Sequence, residues 1–577
     1  MKLKIPKDMR GASFPRLLTI ELNSFDIDFY LPTLFYKILA DGRTRARRAN
    51  DPTAVARYVD ALAKHSQLEG FDDADGRRLL DRLVRTSLVT MGRVGVAKRG
   101  GEQILSIEPY TALAHKAGFP VETTRLRRAD VFIYRVLRDS LGSADNLRKF
   151  IADVFGHGVT FGQYPSLGGN YDNLTELDTL TRLSLAFMDG FENTPVSKKR
   201  DTLASPACPA YADELGDDLL RYLFAYHNRV PAQALTYYLL GLLNLELFSY
   251  TLSLVYAVNT LARAPQTLPP AMRLPYVPAP PQIYIDFTDR AGSLSREMAT
   301  ACVRRDIEAY QQFLGVSLLL RQLDGYVTRL RRTRPNEVEA LVPSNAPGPE
   351  YLQRLLLARK DAHLGPALAA AAQLDEDRIR EENRVSDAVG DEDDADGQQN
   401  DLEWLDTIAS AGTTDVERVV ALLVESQQKG IMGHYMQWYR GVGGLTKPHG
   451  ILAGDLRGRR GWRYAPSNDL LAILVQLAAV CAPSASGATA TGQGEKGPAA
   501  IRLTDFLAFL ERRFGILVDQ PPAPYVGAEA AAAARDNLRA MLGRLRQMGI
   551  FRDLSDDFTV QRLIPPYADE RAARLEV

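Results

Sequence analysis

The segment with the strongest chemical character in this 577-residue chain is 435–464, YMQWYRGVGGLTKPHGILAGDLRGRRGWRY. It carries Arg440, Lys447, Arg457, Arg459, Arg460 and Arg463 against a single acidic residue, Asp455, with Tyr435, Trp438, Tyr439, Trp462 and Tyr464 interleaved. Guanidinium groups make charge-assisted hydrogen bonds to phosphate, aromatic faces stack on bases, and glycines let a loop follow a nucleic-acid backbone. That combination makes the segment a candidate nucleic-acid contact. The same residues also fit a long structural loop whose aromatics plug a core and whose arginines meet acidic parts of the chain.

A second basic set lies near the N-terminus. The spacing predicts a helix over 74–88 with Leu79, Leu80, Leu83, Val84 and Leu88 on one side. Arg78, Arg82 and Arg85, at i, i+4 and i+7, give the opposite side a wholly basic face. Lys98 and Arg99 precede Gly100-Gly101 in the turn between two extended runs, and paired glycines supply the positive φ that a tight hairpin needs. An earlier helix opens at Asp51-Pro52 and carries Val55, Tyr58, Val59 and Leu62. Helix, helix, hairpin with a basic tip is the order of a winged helix-turn-helix, which lays its second helix in the major groove and touches phosphates with the wing. Winged helices also act as protein-docking units. Arg43, Arg45, Arg47 and Arg48 read as a phosphate-binding loop or an exposed linker, and Arg329, Arg331, Arg332 and Arg334 as partners of phosphate or of acidic protein surfaces.

Catalytic chemistry is harder to find. Asp286 and Asp289, at the end of the strand-like run IYIDFTD, are the nearest approach to a carboxylate pair. A metal-dependent nuclease built on them needs further carboxylates and usually a lysine, which spacing does not locate. The loop GHGVTFGQYPSLGGNYDN holds Gly156, Gly158, Gly162, Gly168 and Gly169, but matches neither GxGxxG after a strand nor a P-loop. Cys208, Cys302 and Cys481 lie far apart, and His434 and His449 are the only histidines in a basic aromatic setting. The chain contains no Walker A, HExxH, GxSxG or kinase signature. The reading leans towards a non-catalytic protein, with no metal or cofactor expected.

The elements that position these residues follow from composition and periodicity. Hydrophobic residues make up 46% and charged residues 24%, and 70 Lys plus Arg against 71 Asp plus Glu leave a net charge of −1. Disordered, collagenous and disulfide-stapled classes are thereby excluded, and any DNA role must come from local patches. The N-terminus has no apolar stretch of signal-peptide type, so a cytoplasmic protein is expected. Segment 234–262 carries one charge, Glu246, over a membrane-spanning length; its Asn244 and Glu246 favour the centre of a helical core, and no membrane association is expected.

The predicted fold is mainly α, a multidomain helical protein with winged-helix-like (α+β) modules near both termini. The expected segments are a winged-helix-like domain at 1–120 that includes a strand-like LLTIEL, a helical core at 121–264, and a Pro-rich linker at 265–281. A helical domain with an opening strand follows at 282–374, then an acidic disordered linker at 375–402. A helical or winged-helix-like C-terminal domain at 403–577 holds a flexible insertion at 483–500.

The C-terminal runs RYAPSNDLLAILVQLAAV, LTDFLAFLERRFGILV and LRQMGIFRDLSDDFTVQRLIPPY resemble the ends of large uncharacterised proteins from bacterial anti-phage defence islands, nearest a non-catalytic component of the methylation-associated defence system. The resemblance covers roughly the last 120 residues and carries over no functional residue. It implies a set of partner proteins including a DNA methyltransferase and ATPases; the segregated arginines at 78–85 and 440–463 add the expectation of a DNA-associated recognition or scaffold subunit with double-stranded DNA as a partner. The alternatives are a protein-interaction subunit without DNA affinity and the metal-dependent nuclease.

Overall fold

The computed structural model describes residues 3–45, 54–66, 68–93, 102–108, 110–111, 126–156, 158–161, 169–172, 176–191, 196–201, 204–274, 279–387, 403–481, 498–552 and 561–568. It is mainly α-helical, and its strands are short and occur in pairs.

Residues 3–29 run largely without regular structure while burying Leu3, Ile5, Met9, Phe14, Leu17 and Ile20. The LLTIEL run is therefore not a strand. Its neighbourhood is satisfied by other groups: Ser426 Oγ donates to Leu3 O (2.9 Å), Arg321 Nη1 to Met9 O (3.2 Å), and Glu21 N to Arg127 O (2.9 Å). Helix α1 (Tyr30–Leu39) is buried along its whole length and leads into β1 (Arg43–Arg45).

Helices α2 (Ala54–Ala63) and α3 (Ala74–Leu83) come next. The Asp73 carboxylate caps α3 by accepting from Gly76 N at 2.6 Å. The expected single helix to Leu88 instead changes into a wide π-type turn over Val84–Leu88, and Leu79 is 61% exposed. Strands β2 (Val89–Arg93) and β3 (Glu102–Ile107) form the expected antiparallel hairpin.

The middle of the chain contributes α4 (Ala129–Ser140), α5 (Ala144–Phe155), the hairpin β4 (Val159–Phe161) with β5 (Gly169–Tyr171), and α6 (Thr179–Asp189). Strand β6 (Val196–Arg200) pairs antiparallel with β1. Helices α7 (Pro209–Tyr226) and α8 (Ala232–Arg263) follow, then β7 (Ile283–Tyr284), α9 (Leu294–Thr333), α10 (Pro335–Leu341), α11 (Gly348–Ala358) and α12 (Leu364–Asp387). The last part holds α13 (Asp415–Val442), the hairpin β8 (Leu452–Ala453) with β9 (Arg463–Tyr464), α14 (Asn468–Cys481), β10 (Ile501–Arg502), α15 (Leu503–Phe514), β11 (Ile516–Leu517), α16 (Ala528–Gln547) and β12 (Arg562–Leu563). Strand β11 pairs in parallel with β7, and β10 antiparallel with β12.

One buried cluster extends from Leu3 to Leu563 and draws residues from each of the four segments expected at 1–120, 121–264, 282–374 and 403–577. A smaller cluster joins Val55, Tyr58, Val59 and Leu62 of α2 to Leu80, Val84, Leu88, Ile104 and Ile107. It is completed by Phe187 and Phe191, from α6 and the residues just after it, so this module draws on residues beyond 1–120.

The expectation of disorder over 375–402 needs correction for its first part, because 375–387 continue α12. Asp375 and Glu376 are buried there, Asp375 between Arg329 (3.0 Å) and Arg378 (3.1 Å), Glu376 between Arg380 (2.7 Å) and Arg418 (2.9 Å). Local charge density is offset by arginines arriving from α9 and α13. Residues 388–402, and 483–497 of the expected insertion, lie outside the described residues.

Helix α8 is apolar on every side, and a helix of that kind is stable in water only when surrounded by protein. It is long and apolar enough to cross a membrane, and 89% of its most apolar window is buried among other helices. Glu246, at its centre, meets the guanidinium of Arg513 from α15: Nη2 donates to Glu246 Oε2 (2.6 Å), Nε to Asp218 Oδ2 (2.5 Å), and Nη1 lies 3.6 Å from Glu214 Oε2. Burial holds the Glu246 carboxyl well above the usual range, against the pull of Arg513. Removing the cation leaves the buried Glu246 and Asp218 carboxyls, which hydrogen-bond each other, without the positive charge that offsets them. Arg513→Ala should cost about 3–5 kcal/mol, the usual penalty for breaking a buried ion pair from one side, read as a lower urea midpoint; a midpoint equal to wild type contradicts this account.

Candidate nucleic-acid interface

The basic aromatic segment begins in the last turn of α13 and reverses direction through Gly443 and Gly444. Gly444 has φ +65°, and a Cβ there would lie 2.6 Å from Gly450 Cα, so the close crossing of the loop on itself requires glycine. Hairpin β8–β9 then projects the residues between Ala453 and Arg463, with a short 3₁₀ turn at Arg459–Gly461.

The aromatics are not a stacking platform. Tyr435, Trp438, Tyr439, Trp462 and Tyr464 are all buried. Trp438 Nε1 donates to Thr251 Oγ1 (3.2 Å), and Tyr439 and Tyr464 share a hydroxyl hydrogen bond (2.6 Å). Tyr464 OH donates onward to Asp306 Oδ2 (2.5 Å), whose Oδ1 accepts from Tyr256 OH (2.6 Å) and Arg305 (2.9 Å). Burial raises the Asp306 carboxyl above its ordinary value, while Arg305 and the two tyrosine hydroxyls draw it back. Trp462 lies nearly parallel to Tyr439, centroids 6.3 Å apart, and its Nε1 donates to Asp455 O (2.8 Å). The aromatics root the hairpin in the core, which removes the base-stacking part of the expectation.

The six cations of the segment divide. Lys447 Nζ lies 2.6 Å from Asp28 Oδ2 and 3.6 Å from Asp26 Oδ1, and Arg463 Nη2 lies 2.6 Å from Asp289 Oδ1 with its side chain 11% exposed. Arg440 is half-buried. Arg457, Arg459 and Arg460 are exposed, with no ion pair among the described residues. Asp455, the one carboxylate in the tip, accepts from Arg457 N at 3.0 Å and so shapes the turn. A turn presenting three guanidinium groups unpaired among the described residues is what the hairpin offers.

The N-terminal set is less basic than its spacing implies. Arg78 pairs with Asp75, and Arg85 with Asp81 (2.8 Å), because acidic residues at i−3 and i−4 share the helix surface. The face is therefore mixed in charge, and of the three arginines only Arg82 is exposed without an ion pair among the described residues. Lys98, Arg99, Arg47 and Arg48 lie outside the described residues. Arg329, Arg331 and Arg334 pair within the chain with Asp375, Glu339 and Glu337.

Asp286 and Asp289 serve different ends. Asp286 is fully buried and its Oδ1 accepts from Thr288 N, Thr288 Oγ1 and Ser295 Oγ at 2.7–3.1 Å, whereas Asp289 is the exposed partner of Arg463. Among the described residues no three His, Cys, Asp or Glu groups stand together as metal ligands. Gly156 and Gly158 lead into the β4–β5 hairpin, whose connecting residues 162–168 lie outside the described residues. Sequence reasoning passed over Asp306, an aspartate on an amphipathic helix with nothing in its neighbours to mark it.

A family model described as methylation-associated defense system protein MAD7 matches residues 7–567. The chain belongs to this family. The match takes in nearly the whole chain, where the resemblance read from sequence rested on its last 120 residues. No curated protein and no solved structure matches it. For this MAD7-family chain, the hairpin tip is thus described by its own geometry alone.

Beside the hairpin's root, His449 is 4% exposed, lies edge-on to Tyr237, and has no partner for either ring nitrogen among the described residues. Burial, with help from the nearby Lys447 charge, holds its pKa below 6.5. Well above pH 6.5 both folded and unfolded chains hold it neutral; as pH falls through 6.5 the unfolded chain takes up the proton first and stability drops. Comparing urea midpoints of wild type and His449→Gln should show a constant difference well above pH 6.5 that moves against wild type as pH falls through 6.5. A constant difference down to pH 5 contradicts the assignment.

Proposed function

We propose that the chain acts in its methylation-associated defence system as a non-catalytic subunit that holds duplex DNA by its phosphates while docking other defence proteins. The supporting observation is the tip of the β8–β9 hairpin, where Arg457, Arg459 and Arg460 stand exposed without ion pairs among the described residues, on a turn anchored by buried Trp462. Unpaired guanidinium groups on a fixed turn bind phosphate at low entropic cost, and with the neighbouring aromatics buried the contact carries no base stacking. On this reading the α2–α3–hairpin module is the winged-helix-like unit, contributing Arg82 to the same partner. The protein acts in the cytoplasm, beside a methyltransferase and ATPases.

A second reading, an acidic protein partner in place of DNA, is favoured by Leu456, 53% exposed between Asp455 and Arg457. An apolar side chain beside arginines is the mixture found at protein interfaces. Nothing comparable favours the nuclease, since Asp286 and Asp289 are committed to a turn and an ion pair.

The test is the variant Arg457→Glu, Arg459→Glu, Arg460→Glu in the full chain. Its melting temperature should match wild type. Affinity for a labelled duplex should fall at least about tenfold, and the slope of log K against log salt should shrink by about 3, near 0.9 for each phosphate no longer neutralised. Unchanged affinity removes the tip as a DNA site.

A further inference from the structure

Strands β1 and β6 lie about 150 residues apart in sequence yet form one antiparallel ribbon, with Arg43 opposite Arg200 and Arg45 opposite Val196. The register slips between Arg43 and Arg45, a bulge of the kind that re-aims side chains. Opposing RTR to VSKKR makes five of the eight ribbon residues cationic: Arg43, Arg45, Lys198, Lys199 and Arg200.

The root of the ribbon is held firmly. Lys37 of α1 is buried and pairs with Asp130 of α4 (3.1 Å) and with Asp201, the residue after β6. Asp201 N donates to Gly42 O at 3.2 Å, and Gly42, at φ +75°, is pressed so closely on Tyr134 that a Cβ would lie 2.9 Å from its ring. Asp41 pairs with both Arg43 and Arg200. With Asp201 engaged by Lys37 and Asp41 by the two arginines, Lys198 and Lys199 are left exposed with no ion pair among the described residues.

We propose that the β1–β6 ribbon is a second DNA-contacting surface, with Lys198 and Lys199 seated against the phosphates of duplex DNA. This extends, and rests on, the reading of the protein as a DNA-binding subunit. Edge strands commonly carry a lysine to block strand addition, but that purpose does not call for three consecutive cations on β6. The extra residues of the bulge lie on β6 between Val196 and Arg200, so strict alternation of faces does not hold across Lys198 and Lys199. The B-DNA major groove admits a two-stranded ribbon and offers phosphates on both flanks, and the two exposed lysines supply the opposite charge.

The experiment is a fluorescence-anisotropy salt titration of the full chain with a labelled duplex, comparing wild type, Lys198→Ala/Lys199→Ala, and the hairpin-tip triple variant. Both lysines are exposed, so the double variant should melt with wild type. It should bind about tenfold more weakly near 0.1 M salt, with a log–log slope smaller by about 2. Wild-type affinity and slope in the double variant, with weakened binding in the tip variant, overturn the ribbon site and leave the hairpin reading standing. Weakened binding in the double variant alone upholds the ribbon and removes the tip. A wild-type chain that binds polyglutamate and not duplex, or neither, overturns the DNA assignment of both.

Discussion

The structure depends on how one charge is carried in the middle of an apolar helix. Helix α8 supplies a long run of buried side chains around which the other helices assemble, and Glu246 sits inside that run with no route to water. An uncompensated carboxylate there would be too costly to bury. Arg513 meets it, together with Asp218 and Glu214 of α7, so α15 is fixed against α7 and α8 at one position. The chain leaving α15 enters β11, which pairs with β7, and the residues after β7 reach Tyr464 through the Asp286 N to Tyr464 O hydrogen bond (2.8 Å). The central ion pair is thereby linked, step by step, to the root of the basic hairpin.

The same economy governs the surface cations. Several arginines singled out by their spacing are satisfied within the fold: Arg463 by Asp289, Arg85 by Asp81, Arg329 by Asp375. Exposed pairs of this kind add little to stability, but they withdraw positive potential from the surface. Among the described residues, exposed cations without an ion pair stand at the hairpin tip over Trp462 and on the ribbon over Lys37. A chain of net charge −1 can attract a polyanion only through such local excesses.

Much of the architecture was legible in the sequence. The helical class, the apolar helix around Glu246 and the pairing of β2 with β3 follow from periodicity and turn chemistry, which are local. Three things were not legible. The acidic run beginning at Asp375 reads as disordered because its neutralising partners, Arg329 and Arg418, are 46 and 43 residues from Asp375. Tyr439 and Trp462 read equally well as stacking groups or core plugs, since aromatic residues serve both purposes and only burial separates them. The ribbon is invisible because RTR and KKR look like unrelated basic linkers until β1 and β6 pair.

The central claim is that the folded chain binds DNA through phosphates, and wild-type protein titrated with an unmodified duplex across a salt series tests it most directly. The account predicts binding at about 50 mM salt that weakens steeply, with a log–log slope of at least about −4, independent of duplex sequence. Absence of binding at low salt, or an affinity that salt leaves unchanged, would contradict it.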